Sequence, residues 1–280
     1  MLDIIELLKI VFLSIVQGIT EWLPISSTGH MRLIDEFMPL QLTAEFKDLF
    51  FILVQLGSIF AVMLLYFNKL NPFAANKERK ERLDTWKLWS KVVMASVPAM
   101  VFGFALDDYM DAYFNTPLVI ASTLILYGIA FIWIESERKP KHAREIRTLN
   151  ELSYADAFKI GIFQSLALIP GTSRSGATII GGLLIGTSRY VATEFSFFMS
   201  IPAMFGASTL KLVKYIKNNG LNFSQAELIY LLSGMFVAFI VSLIVIKFLL
   251  NYIKRNDFKG FGYYRIILGI VILAYFLLFG

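Results

Sequence analysis

Two long apolar regions of the chain are interrupted in their middles by proline and by runs of serine, threonine and glycine. In Leu2 to Leu40 the break is Pro24-Ile25-Ser26-Ser27-Thr28-Gly29-His30, and in Ala157 to Ser188 it is Pro170-Gly171-Thr172-Ser173-Arg174-Ser175-Gly176. Proline lacks a backbone donor and the residues after it are poor helix formers, so each region reads as helix, turn, helix. Irregular backbone at membrane depth is tolerated only inside protein or against a watery cavity. Both regions are therefore expected to be re-entrant helical hairpins whose turns lie within a helical bundle.

The rest of the chain supports a bilayer as the solvent. Of the 280 residues 57% are hydrophobic and 17% charged, and the mean hydropathy is +0.65; soluble domains carry about a quarter charged residues. A span needs about 20 mostly apolar residues. Six stretches qualify: Phe50 to Phe67, Trp89 to Leu106, Pro117 to Ile134, Glu194 to Val213, Glu227 to Leu250 and Phe261 to Phe279. The expected fold is an all-α integral membrane protein, one polytopic domain over 1–280, with six transmembrane helices and the two hairpins. The absence of cysteine excludes disulfides, thiolate metal sites and cysteine nucleophiles. A net charge of +5, interrupted by apolar runs, does not describe a nucleic-acid binder. No cleavable signal is expected, because Asp3 and Glu6 have the wrong charge for its first segment.

Basic residues orient the spans. Lys69 to Lys91 holds seven Lys and Arg, Arg138 to Lys159 six, and Lys247 to Lys259 four, which marks these connections as cytoplasmic; Asp107 to Thr116, with three Asp and no base, fits the other side. The first hairpin and both termini then lie outside, and the second hairpin enters from the cytoplasm. Lys211, Lys214 and Lys217 are exceptions, expected to snorkel at the outer edge. The order is a hairpin plus three spans, twice, the second copy inverted: repeats of roughly 1–147 and 148–280. A shift of 147 residues lays Ser14-Ile15-Val16-Gln17 on Gly161-Ile162-Phe163-Gln164, and Ser27-Thr28-Gly29 on Arg174-Ser175-Gly176. Inverted repeats with broken helices are common in transporters, and the breaks mark the site.

The first break carries Gln17 and Glu21 one helical turn apart, then three hydroxyls and His30. The hydroxyls could simply cap the helix that follows, but ionisable groups at membrane depth are expensive and commonly functional. The second break, Pro170 to Thr178, combines glycines that let N–H groups turn to a ligand, a following helix N-terminus, and an Arg174 fork matched to phosphate oxygens. It lacks the spacing and terminal Lys of a nucleotide-binding loop. Arg189 and Glu194, near a span edge, read as solvated or paired structural charges, and His142 as solvated. Together the breaks suggest phosphoryl hydrolysis of a lipid: an anion cradle, oxygen ligands for Mg²⁺ or Ca²⁺, and a hydroxyl beside an imidazole. A lipid or anion transporter or flippase of the same architecture is the alternative.

These motifs, Gln17-Gly-Ile-Thr-Glu21-Trp-Leu-Pro-Ile-Ser-Ser-Thr-Gly-His30 and Pro170-Gly-Thr-Ser-Arg-Ser-Gly-Ala-Thr178, resemble those of the undecaprenyl-diphosphate phosphatase family, the bacitracin-resistance proteins. The resemblance implies a multi-pass enzyme of the bacterial inner (plasma) membrane, open to the periplasmic or outer face. It would remove the terminal phosphate of undecaprenyl diphosphate, regenerate the carrier lipid for peptidoglycan synthesis and confer bacitracin resistance. It implies catalytic roles for Glu21, Ser27, His30 and Arg174, and substrate contacts from Ser26, Thr28, Thr172, Ser173, Arg174, Ser175 and Thr178. A divalent metal, Mg²⁺ or Ca²⁺, would be held at Gln17 and Glu21. Many members have Glu where this chain has Gln17, which shifts weight to Glu21. The expected partners are a polyprenyl diphosphate and membrane lipids, with no nucleic acid; a homodimer is left open.

Overall fold

The computed structural model describes residues 2–138 and 145–279, without the side chains of residues 107, 108, 111, 112 and 279; His142 lies outside the described residues. The described residues are helical, with one isolated parallel bridge, Ile146 to Thr187. The order is α1 (Ile4–Thr20), α2 (Ser27–Phe37), α3 (Ala44–Leu65), the short α4 (Phe67–Leu70), α5 (Arg79–Phe114), α6 (Pro117–Glu137), α7 (Tyr154–Ser165), α8 (Arg174–Leu184), α9 (Arg189–Asn219), α10 (Gln225–Tyr252) and α11 (Lys259–Phe279). Six of these, α3, α5, α6, α9, α10 and α11, are long and apolar enough to cross a membrane. Five of them contain an expected span whole; α3 ends at Leu65, two residues short of the expected Phe67, which begins α4.

Local chemistry accounts for the boundaries. Thr43, Thr116, Ser188 and Ser224 accept a first-turn N–H at the starts of α3, α6, α9 and α10. α5 begins ten residues before the expected Trp89, because a Glu78/Glu81 capping box starts it in the polar connection. It also runs to Phe114, through most of the expected connection from Asp107 to Thr116, since Asp107 to Phe114 holds neither proline nor glycine. On α10, Leu232, Phe236, Ile240, Ile244 and Phe248 form an exposed stripe at a spacing of four. Leu231, Gly234, Ala238, Ser242 and Ile246 face the interior. A soluble protein would not leave such a stripe to water; lipid is its natural contact.

Ion pairs fix the ends of the bundle. Lys69, after α3, pairs with Glu194 near the start of α9 at 2.7 Å, while Asp48 near the start of α3 meets Lys211 late in α9 at 3.6 Å. The two helices therefore run antiparallel. Glu194 and Arg189 hold paired structural positions, as expected, with Arg189 on Glu135 at 2.6 Å. Lys211, one of the three basic exceptions, has a carboxylate beside it.

The broken regions fold as helix, break, helix, and each returns toward the end from which it started. Near the start of α1, Glu6 accepts the N–H of Gln41 and Lys9 donates to the Pro39 carbonyl, both just past α2. At the opposite end Lys91 donates to the Leu149 carbonyl, close to the start of α7, and the Ile146 bridge to Thr187 holds the segment just past α8. α6 and α11 pack tightly where Gly128 and Gly262 face each other. A Cβ on either would come within 2.7 to 2.8 Å of the other's carbonyl oxygen. Small residues allow such close approach between membrane helices, and this one carries Arg265, one turn beyond Gly262, into the protein interior.

Candidate active site

The two breaks meet. At the first, α1 ends after Thr20 and the chain turns through Pro24 to Ser26, whose φ is +74°; at the second, Ser173 has φ +70°. A non-glycine residue in this region costs about 1–3 kcal/mol and persists only where its surroundings impose it. Here each serine caps the next helix: Ser26 Oγ accepts from Gly29 N and Ser173 Oγ from Gly176 N. The capping expected as an alternative for the first-break hydroxyls is present at Ser26, and Ser173 caps in the same way; Ser27 instead bonds Glu21.

Glu21 is buried and accepts three side-chain hydrogen bonds. Gln17 Nε2 donates to Oε2 at 2.8 Å, Ser27 Oγ donates to the same oxygen at 2.7 Å, and Arg174 Nη2 donates to Oε1 at 3.1 Å. An ionised carboxylate is an acceptor only, so it suits this set of donors. The Gln17 bond follows from the spacing of four on one helix. The Ser27 bond spans the turn, and the Arg174 bond joins the two hairpins. Ser175 Oγ reinforces that junction by donating to the Glu21 and Leu23 carbonyls at 3.3 and 3.4 Å.

α9 supplies the third wall. Arg174 Nη1 donates to the Ser196 carbonyl at 3.1 Å, and Thr178 Oγ1 lies 2.6 Å from Ser196 Oγ. His30 lies one turn after Ser27 on the same side of α2 and reaches α11. Its Nδ1 is 2.7 Å from the Ser26 carbonyl and its Nε2 2.7 Å from Tyr264 Oη. A carbonyl only accepts, so Nδ1 carries a proton and Nε2 of the neutral ring accepts from Tyr264. The imidazole and phenol rings are also parallel, 5.7 Å apart.

The sequence-predicted residues thus separate. Gln17, Glu21, Ser27, Arg174, Ser175 and Thr178 belong to one hydrogen-bonded cluster, which Ser173 joins through Ser175 at 3.2 Å. Ser26 and His30 flank it. Thr172 is buried in the second break and takes part through its carbonyl, while Thr28 is exposed and outside the network, one residue and 100° around α2 from Ser27. Sequence reasoning missed Ser196, Tyr264 and Arg265. For Arg265 a signal existed, an ionisable residue inside an apolar span; for the others none did.

The oxygen set suits a hard cation only in part. Among the described residues no three His, Asp or Glu cluster around a common point. Gln17 turns its N–H to Glu21, so the Glu21 carboxylate is the oxygen ligand on offer, and with the carboxamide turned over the two oxygens would be a partial set of the kind Mg²⁺ uses when substrate phosphates supply further ligands.

Fold and site define a multi-pass helical membrane protein in which two broken helices bring a hydroxyl, a carboxylate and a guanidinium together inside the bundle. The chain belongs to the bacitracin resistance protein BacA family, whose pattern it matches over residues 10–271. It is 55% identical to the undecaprenyl-diphosphatase of Enterococcus faecalis over 272 residues, 97% of this chain and 98% of the relative. It is 55% identical to that of Acetivibrio thermocellus, covering 98% of each, and 52% identical to that of Lactiplantibacillus plantarum, covering 98% of this chain and 99% of the relative.

Proposed function

We propose that this protein is an undecaprenyl-diphosphatase that removes the terminal phosphate of the polyprenyl diphosphate and returns the monophosphate carrier to envelope synthesis. The observation that carries the reading is the Ser27 hydroxyl donating to Glu21 at 2.7 Å, with Arg174 on the other oxygen of the same carboxylate. A hydroxyl bonded to a carboxylate is poised to lose its proton, and a guanidinium beside it matches phosphate oxygens.

In this mechanism the diphosphate competes with Glu21 for Arg174, and the N–H groups at the start of α8 face the terminal phosphate. Glu21 takes the Ser27 proton as Oγ attacks the terminal phosphorus. The bond from phosphorus to the bridging oxygen breaks, and the monophosphate lipid leaves. Water then releases phosphate from Ser27. His30, held as one tautomer by the Ser26 carbonyl and Tyr264, lies beside the site as a proton carrier. A divalent ion bound at Glu21 and Gln17 would neutralise charge on the diphosphate.

We read the two hairpins as re-entrant and the halves as inverted repeats. Supporting this, α2 and α8 are equal in length and offset by 147 residues, and each is capped by a serine at positive φ. The concentration of bases at the end bearing Lys69, Lys91 and Arg189 supports a cytoplasmic location there, in the bacterial plasma membrane, with the first hairpin open to the outer face. A transporter with this architecture would need the arginine but not the Ser27 to Glu21 hydrogen bond.

The test is release of phosphate from undecaprenyl diphosphate by purified protein in detergent, with and without EDTA. The reading predicts release by wild type, loss on chelation and recovery with Mg²⁺ or Ca²⁺. No release with any divalent ion would overturn it.

A further inference from the structure

The last helix carries a buried cation that the chemistry above does not use. Arg265 is fully buried in α11. It donates from Nη1 to the Pro24 carbonyl at 3.0 Å, and from Nη2 to the Gly171 and Thr172 carbonyls, each at 3.0 Å. Longer bonds run from Nε to the Leu124 carbonyl at 3.4 Å and from Nη2 to the Thr123 carbonyl at 3.5 Å, both on α6. Its guanidinium carbon lies over the Tyr127 ring, 5.5 Å from the centroid.

Three features of this arrangement are unlike an ordinary structural arginine. The partners are main-chain oxygens, so the cost of burying the charge is offset by carbonyl dipoles and an aromatic face. Those oxygens come from both breaks, which are 147 residues apart at Pro24 and Gly171. Proline and glycine at those breaks leave carbonyls without helical partners, and a carbonyl turned toward a diphosphate would repel it. A single planar fork draws both sets of carbonyls the same way. It touches the second break from behind, Nη1 lying 3.3 Å from where a Cβ of Gly176 would stand.

We propose that Arg265 is a positioning residue for phosphate cleavage: by holding the Pro24, Gly171 and Thr172 carbonyls in one fork, it sets the spacing between the Glu21 and Ser27 side of the site and the Arg174 side. This rests on the hydrolase reading. Lysine at this position keeps the charge but is a point donor on a flexible stem and cannot span carbonyls on two breaks. Misplacing reacting groups by about 1 Å can cost on the order of 10²-fold in rate. Substrate affinity, given mainly by Arg174 and helix N–H groups that remain, changes far less.

The experiment measures kcat and KM on undecaprenyl diphosphate, with thermal unfolding in detergent, for wild type, Arg265→Lys, Tyr127→Phe and Tyr127→Leu. Arg265→Lys is expected to lose on the order of 10²-fold in kcat with KM within about threefold. Tyr127→Leu, which removes the ring under the guanidinium together with the hydroxyl that lies against Thr172, is expected to lose about three- to tenfold in kcat, and Tyr127→Phe, which keeps the ring and removes only that hydroxyl, recovers most of it. Arg265→Lys with wild-type kcat, or with a loss carried wholly by KM, overturns the proposal. If Arg265→Lys does not fold, Tyr127→Leu decides: unchanged kcat overturns the proposal, and a loss restored in Tyr127→Phe supports it. Wild-type turnover alongside unaffected variants rejects this inference alone; absence of wild-type turnover rejects the hydrolase reading.

Discussion

Arg174 and Glu21 stand 153 residues apart in sequence and 3.1 Å apart in space, and this contact is the electrostatic joint between the two broken helices. Neither side chain is more than 14% exposed. A pair in such a place contributes little net stability when intact, but leaves an expensive bare charge when one member is removed. In the proposed mechanism an anionic ligand takes over Arg174 and Glu21 then acts as the base.

Removing one member of this pair should destabilise the fold more than removing both. Glu21→Gln and Arg174→Gln are each expected to cost about 3–5 kcal/mol of stability, and the double variant less than their sum. Thermal or denaturant unfolding in detergent, arranged as a double-mutant cycle, measures the coupling. Strict additivity would show that the contact carries no energy.

Tyr264→Phe keeps the ring beside His30 and removes only the hydroxyl that donates to Nε2. If His30 handles a proton in turnover, its orientation matters, and kcat should fall about tenfold, equivalent to about 1.4 kcal/mol, with the unfolding midpoint nearly unchanged. Steady-state kinetics beside thermal unfolding checks this. An unaltered kcat would relegate His30 to packing.

At Gly171 φ is +86°, and a Cβ would stand 2.2 Å from Thr123 Oγ1 and 2.7 Å from the Ile120 carbonyl oxygen. Gly171→Ala therefore combines backbone strain of about 1–3 kcal/mol with a clash against α6. The folded yield from membranes and the unfolding midpoint should both fall. Gly206→Ala on α9 is the contrast, because a Cβ there meets nothing within 4 Å; it should be neutral or stabilising by roughly 0.5–1 kcal/mol. Equal tolerance of the two substitutions would contradict the packing described around the second break.

Periodicity and breakers made much of this legible. Proline followed by hydroxyl and glycine residues marked both interruptions, and long apolar runs marked the spans, because those signals are local. The spacing of Gln17 and Glu21 placed them on one helix face for the same reason. What escaped was long-range. Ser196 is one of three serines on α9, and only the approach of that helix to the second break gives it meaning. Arg265 stood in plain view as a cation within the last span, but its partners are carbonyls exposed by breaks far away in sequence. Thr28 shows the converse limit: a residue inside the first motif can turn away from the hydrogen-bonded cluster its neighbours form.

The most direct test of the central claim, that Ser27 is activated by Glu21 to attack the terminal phosphorus, is single-turnover phosphate release from undecaprenyl diphosphate by wild type and Ser27→Ala, each confirmed as folded. Ser27→Ala is expected to lose on the order of 10³-fold or more in rate, with substrate binding retained. Release within about tenfold of wild type would contradict it and move the attack to a water molecule.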